Sequence, residues 1–260
     1  MQCIQKLSYQ KTNNFMKFFI AAPFGNYIKF RKNSNVVPVT GTWTLEYRGG
    51  FLFRIWKILT TMRYDRSQKG WVNKLGLPNP GIKIGLRKTK KNDILSIAAI
   101  NDTDFKKLFD IIPKDQSIEI NLSCPNLDEK TPLSWSDARL FISQESQRKF
   151  CIAKISPETS LDQLKFLIDD LGFKQIHCSN TLPVKGGGLS GKSLTPYVEK
   201  LINMIRETWG DKVEIIAGGG VSSQVDIENY LNLGSDHISL GTICFKPWKL
   251  RGIINYTESL

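Results

Sequence analysis

From Ile94 to Leu240 short apolar runs alternate with longer amphipathic stretches, and this rhythm constrains the fold more than any other feature of the chain. Ile94 to Ile100, Ile118 to Leu122, Phe150 to Ile155, Gln175 to Cys178, Val213 to Ala217 and His237 to Leu240 read as strands. Between them, helices are predicted over Thr103 to Phe109, opened by an Asp102 or Thr103 cap, over Ser136 to Glu145, over Ser160 to Leu171 with Gly172 at its end, and over Gln224 to Leu233. A further helix runs from Thr195 to Trp209, with Thr195 as N-cap, Pro196 at the first helical position and Gly210 as the stop. Short apolar strands separated by amphipathic helices make a parallel sheet with helices outside. Two more strand candidates at the front, Phe15 to Ala22 and Val36 to Thr40, raise the count to about eight, which favours closure into a (β/α)8 barrel over an open sheet. The expectation is a single domain over residues 1–260, a TIM barrel irregular or shortened in its N-terminal part.

That front half breaks the rhythm. Phe51 to Met62, F-L-F-R-I-W-K-I-L-T-T-M, is apolar around most of a helix, with Arg54 and Lys57 marking a narrow basic side. Such a helix serves as a lid, as a dimer contact or as a membrane-surface element, and it is too short to span a bilayer. Asn73 to Gly81, N-K-L-G-L-P-N-P-G, is a loop by composition.

Composition narrows the class. The net charge of +12 over 260 residues attracts phosphates, nucleic acid or acidic membrane surfaces. Only R-K-T-K-K, ending at Lys91, is a dense cluster, so nucleic-acid binding is secondary to a solvated basic surface. Five scattered cysteines without a C-x-x-C pair argue against a disulfide framework and against a zinc or iron–sulfur site. No secretory apolar region or apolar span of about 20 residues occurs, so a cytoplasmic protein without a transmembrane segment is expected.

In a barrel of this kind chemistry gathers at the C-terminal ends of the strands. There the chain carries Ala21-Ala22, Gly41-Thr42, Asn121 to Asn126, Lys154, Ser179-Asn180-Thr181, Gly218-Gly219-Gly220 and Gly241-Thr242. Glycine turns after the last two strands bring backbone N–H groups to one place and suit a phosphate, and the phosphate suggests a nucleotide cofactor. Asn121 and Asn126 are amides that donate and accept at once, fit for a planar ring with carbonyl and N–H groups, and between them Cys124 is a proton-transfer candidate. A buried structural cysteine is the equal alternative from these residues alone. His177 and His237 lie mid-strand and read as satisfied wall histidines, and Cys151, Cys178 and Cys244 as small apolar fillers. Gly186 to Ser193, G-G-G-L-S-G-K-S, satisfies the P-loop pattern G-x-x-x-x-G-K-[ST]. Its context refuses the reading, because Thr195-Pro196 starts the helix after the Lys and Ser rather than at them; Gly187 to Gly191 is read instead as a close-approach loop.

With these residues in view the chain resembles the dihydroorotate dehydrogenases, FMN enzymes on a (β/α)8 barrel. The resemblance is carried, in the family's order, by N-K-L-G-L-P-N-P-G at Asn73, I-N-L-S-C-P-N at Ile120, A-K-I-S-P at Ala153, S-N-T at Ser179, G-G-L-S-G-K at Gly187, G-G-G-V-S-S at Gly218 and L-G-T at Leu240. Cys124 is similar to the soluble, cysteine-dependent branch linked to fumarate, where the quinone-using branch carries serine. The resemblance implies FMN contacts at Ala21, Ala22, Thr42, Asn73, Asn121, Lys154, Ser179, Ser190, Gly191, Gly219, Gly220, Gly241 and Thr242. It implies that Asn73, Asn121, Asn126, Asn180 and Thr181 hold dihydroorotate or orotate. Cys124 would take the C5 proton as hydride passes from C6 to the flavin, in a step of pyrimidine biosynthesis, acting as thiolate, so that either its free value of about 8.5 is lowered in the site or activity rises with pH. No metal is implied; a homodimer is compatible with it.

The front departs from the family pattern. The soluble branch reads T-K-S where this chain has Thr40-Gly41-Thr42, and the quinone branch has a lysine where Asn26 aligns. Lys29 is the candidate replacement cation, and the first helix is expected as a few residues around Lys29 to Asn33. Two further readings stay open: a tRNA-dihydrouridine synthase, also an FMN barrel with a cysteine after a similar strand and favoured by the charge, and a degenerate flavin-binding homologue.

Overall fold

The computed structural model describes residues 16–122, 135–142 and 148–257. The chain opens with strands β1 (Phe18–Ile20) and β2 (Val36–Trp43), followed by helix α1 (Phe51–Thr61) and a hairpin of β3 (Arg63–Asp65) and β4 (Gly70–Asn73). Helix α2 (Ile82–Lys88), strand β5 (Ile94–Ile97), helix α3 (Asp104–Ile111) and strands β6 (Ile118–Asn121) and β7 (Cys151–Lys154) come next. Helix α4 (Leu161–Lys165), strand β8 (Gln175–Cys178), a second hairpin of β9 (Leu182–Val184) and β10 (Gly187–Gly191), and helix α5 (Thr195–Trp209) continue it. Strand β11 (Glu214–Gly218), helix α6 (Gln224–Asn232), strand β12 (His237–Leu240) and helix α7 (Pro247–Thr257) complete the order.

Eight of these strands close a parallel barrel in the order β1-β12-β11-β8-β7-β6-β5-β2, with β2 pairing back onto β1. The predicted eight-stranded barrel is therefore the observed one. Alternation along each strand separates two apolar layers. Leu95, Ile97, Ile118, Ile120, Ile176, Ile215 and Ile238 belong to the large core that includes α5 residues such as Leu201 and Ile205. The opposite set, Phe19, Val39, Ile94, Phe150, Ile152 and Ile216, makes a small apolar plug, with Phe19 and Phe150 edge to face at 5.4 Å. Above the plug the next inward positions are small or polar, Ala21, Gly41, Ser96, Lys154 and Gly218, and the functional site begins there.

The two hairpins form a second sheet, β3-β4-β10-β9, which the sequence rhythm did not announce. The stretch expected as a close-approach loop is β10, antiparallel to β4 with Gly188 opposite Asn73. Close approach is nevertheless the reason for its glycines: a Cβ on Gly187, at φ +132°, would lie 2.0 Å from the Asn73 carbonyl oxygen. Other boundaries also move. Leu194 caps α5, with Thr195 inside the helix. Thr103 is the N-cap of α3 but makes no side-chain bond; Asp104 instead accepts from the Ile100 and Asn101 amides, at 2.9 and 3.1 Å. The predicted helix after Ser160 winds as α4, with a Ser160–Gln163 capping box, and then as a π turn over Phe166–Asp170. Trp135–Ile142 is a 3-10 helix. Helical turn after β1 occurs at Phe24–Asn26 and not around Lys29 to Asn33. Among the described residues no helix is long and apolar enough to cross a membrane.

Candidate active site

At the C-terminal end of the barrel lies a cavity of about 390 Å³, joined to a second of about 240 Å³. Ala22, Tyr27, Phe51, Arg54, Asn73, Lys154 and Asn180 border both. Every position expected to touch the cofactor lines this space. Ala21, Ala22, Asn73, Lys154, Ser179, Ser190, Gly191, Gly219, Gly220, Gly241 and Thr242 border the larger part, and Thr42 and Asn121 the smaller. Of the ring-binding set, Asn73, Asn121, Asn180 and Thr181 lie together on the smaller part. Cys124 and Asn126 lie outside the described residues, as do Ser123 and the residues up to 134.

One end of the cavity is made of backbone. Gly219 and Gly220 adopt φ +123° and +79°, and a Cβ on Gly220 would sit 2.5 Å from the Thr195 hydroxyl, so side chains are excluded where the turn passes α5. The Tyr230 hydroxyl of α6 donates to the Gly219 carbonyl at 2.6 Å and fixes the turn from behind. The P-loop reading fails here on contacts as well as context. Lys192 is paired with Asp226 and the Ser193 hydroxyl donates to the Gln68 carbonyl, so neither side chain is directed to a phosphate.

The floor is a buried polar layer set by barrel register. Asn121 pairs across to Lys154 and Lys154 to His177, while Ser96 lies beside Glu119. Glu119 is 1% exposed, and its carboxylate accepts from Ser96 Oγ at 2.9 Å and from His177 Nδ1 at 2.7 Å, with Lys154 Nζ at 3.7 Å. Burial alone would raise this acid, but the Lys154 ammonium and the hydrogen bonds from His177 and Ser96 outweigh it and hold Glu119 down at about 2. Burial and Lys154 lower His177 from its usual value, so the ring is neutral, donates through Nδ1 and turns Nε2 toward Gly218 and the cavity. His177 is thus a satisfied wall histidine, as expected, but one that lines the site. The Ser96 hydroxyl also meets Thr42 Oγ1 at 3.0 Å, which carries the network to the front wall.

The front wall is made of side chains. Asn26 and Gly41, the two positions where the family pattern has lysine, bond each other: the Asn26 amide donates to the Gly41 carbonyl at 3.1 Å and accepts from its N–H at 2.9 Å. Lys29 does not replace the missing cation. It pairs with Asp93 at 3.0 Å, beside Arg31, at the N-terminal end of β5 on the far side of the barrel. Asn180 donates to the Asn121 side chain at 2.9 Å, aligning two amides on the cavity wall. Over this wall stands α1, which contributes Phe51, Arg54, Ile55 and Ile58.

The remaining groups are structural. His237 packs edge to face on Phe19 and accepts from the Lys17 amide at 3.2 Å. Burial raises the thiols of Cys151 and Cys244 to about 12 and raises Cys178 as well, so all three stay protonated fillers. Glu119 and Tyr230 are the residues that sequence reasoning passed over, a carboxylate at the centre of an apolar strand being the available signal for the first; Arg54, read there only as part of a basic helix side, lines the cavity. Among the described residues no group of His, Cys, Asp and Glu is placed to hold a metal.

The sequence profile of the family described as dihydroorotate dehydrogenase matches residues 60–255. A dihydroorotate dehydrogenase B (NAD(+)) catalytic subunit from Thermotoga maritima is 28% identical over 251 residues, covering 86% of this chain and 88% of the relative. The corresponding subunit from Oceanobacillus iheyensis is 27% identical over 227 residues, covering 75% and 74%. A crystal structure of the Eimeria tenella enzyme in complex with ferulenol superposes with a TM-score of 0.65 at 16% identity, over 92% of this chain and 81% of that one, a likeness of fold.

Proposed function

The chain belongs to the dihydroorotate dehydrogenase family, a family of flavoprotein oxidoreductases, and from that premise we propose that it binds FMN and oxidises dihydroorotate to orotate in pyrimidine biosynthesis. The observation that carries the proposal is convergence. Thirteen positions drawn from separate strands and turns, each expected to touch the cofactor from sequence motifs, border one continuous cavity. The residues fit the group: a glycine turn packed on the start of α5 that presents backbone for the phosphate, a buried lysine for the ring, and amides beside it. FMN bound there supplies the hydride acceptor.

The protein's own residues have separable tasks. Gly219, Gly220 and Gly241 present backbone to the phosphate. Lys154, anchored by Glu119, brings a positive charge to the cavity floor that stabilises negative charge developing above it. Asn73, Asn121 and Asn180 donate and accept along the edge of a planar ring and set its orientation. Cys124, three residues beyond the end of β6 at Asn121, is assigned the C5 proton. Membership of the family favours this reading over a tRNA-dihydrouridine synthase. The relatives named for NAD(+) favour an electron route other than fumarate.

Purified protein is expected to be yellow, or to become so with FMN, and to bleach when dihydroorotate is added without oxygen. Protein that stays colourless with FMN would end the proposal. Cys124→Ser is expected to slow the bleaching by about 10²- to 10⁴-fold, the usual worth of a positioned base; an unchanged rate would remove Cys124 from its role.

A further inference from the structure

We infer that Arg54 of α1 is the residue that recognises the substrate's carboxylate, an assignment that rests on the dihydroorotate reading and names the group that makes it specific. The cavity is built for anions: among the described residues, no aspartate or glutamate lines either part of it. Three cations do. Lys154 lies at the floor, is 7% exposed and is already matched by Glu119. Lys88 is an exposed side chain at the C-terminal end of α2, on the rim of the smaller part alone. Arg54 borders both parts, at their junction.

The position of Arg54 on its helix is the second argument. Phe51, Ile55 and Ile58 follow one another at helical spacing and form the stripe of α1 that faces the cavity. Arg54 falls on that same stripe, as its one charged member. The Arg54 side chain is half-buried on this wall, so its guanidinium is open to an anion entering from the cavity. Among the described residues it has no acidic partner; its Nη1 donates to the Tyr27 hydroxyl at 3.2 Å, and the group lies 5.5 Å from the centre of the Tyr27 ring. Tyr27 thereby holds the fork in place while its remaining N–H donors are left for a bidentate ligand, the geometry that suits a carboxylate. The neighbouring wall is amide, Asn73, Asn121 and Asn180, which matches the carbonyl and N–H edge of the ring and leaves the carboxylate to a cation.

The test uses the FMN-loaded protein and two probes, orotate and its carboxamide, measured by equilibrium dialysis. The parent is expected to prefer orotate by about 10- to 100-fold, the worth of hydrogen bonds to a charged group. Arg54→Ala is expected to abolish that preference by weakening orotate alone, with carboxamide binding and FMN content held within about twofold, and Arg54→Lys to restore part of it. Equal orotate affinity in parent and Arg54→Ala, equal loss of both probes, or loss of the preference in Lys88→Ala instead would overturn the assignment. A parent that holds FMN but binds neither probe would overturn the dihydroorotate reading and the assignment with it.

Discussion

The two ends of the cavity are built from different materials. At the glycine end much of the wall is main chain: Gly219 and Gly220 are pinned between β11, α5 and α6, packed so closely on Leu194, Thr195 and Val198 that a Cβ on either would collide with them. At the front the walls are side chains, Asn26, Arg54 and Tyr27, carried by a 3-10 turn and by α1, a helix with no buried residue. Backbone in a closed barrel is over-determined and suits a ligand part that never changes, such as a phosphate. Side chains on loosely seated elements suit the part that must be told from its analogues. Between the two ends the polar floor is as tightly held as the glycine end although it is charged.

The largest effect should come from the floor. Lys154→Ala leaves the Glu119 carboxylate buried with only Ser96 and the neutral His177 ring, and breaking a buried pair from one side costs about 3–5 kcal/mol. Urea unfolding at pH 7 measures it, and adding Glu119→Gln should recover part of the loss, since the two sites are coupled. The same layer has a pH signature. Glu119 is depressed from 4.5 to about 2, so its contribution is present above about pH 4.5 and is lost as pH falls toward 2. His177 is depressed below 6.5, so protonation of the unfolded chain withdraws further stability as pH drops through that value. Glu119→Gln should flatten the acid part of the curve; an unchanged slope would show that the floor is not held by this carboxylate.

A smaller effect is expected where the front wall meets the barrel. Asn26→Ala removes both bonds to Gly41, worth about 1–2 kcal/mol together, and Asn26→Asp, which keeps the acceptor for the Gly41 N–H and loses the donor, should fall between. Thermal melts that place both variants with the parent would mean that the latch contributes nothing and that the front wall is looser still.

The same contrast decides what could be read in the sequence. Gln175–Cys178 and His237–Leu240 were bounded to the residue, and the helix Thr195–Trp209 in all but its cap, because buried strands of parallel sheets and a helix with a proline start and glycine stop obey local rules. The hairpin strands escaped because Gly187–Gly191 is strand only by virtue of β4 and β9 lying on either side of it; nothing local in G-G-L-S-G says so. The motifs brought the positions expected to touch the cofactor to one cavity, since most of them sit at the ends of strands or in the turns that follow. The approach of Glu119, His177 and Lys154 depends on the register of three strands, and the failure of Lys29 on the direction in which a front loop runs.

The smallest effect separates α1 from α5. In α5, Val198, Leu201, Ile202 and Ile205 are buried against the barrel, and Leu201→Ala should cost about 2–5 kcal/mol by the cavity it leaves. In α1, Leu52 and Leu59 are 80% and 78% exposed, and changing either to serine removes almost no packed surface. Each should therefore shift stability by less than about 0.5 kcal/mol in urea melts at low protein concentration. Arg54 lies on the opposite stripe, so orotate binding should also be unaffected by both changes. A cost above about 1 kcal/mol for Leu52→Ser or Leu59→Ser would mean that this face is covered in solution. The front wall would then be as firmly seated as the glycine end, and the contrast between the two ends would fail.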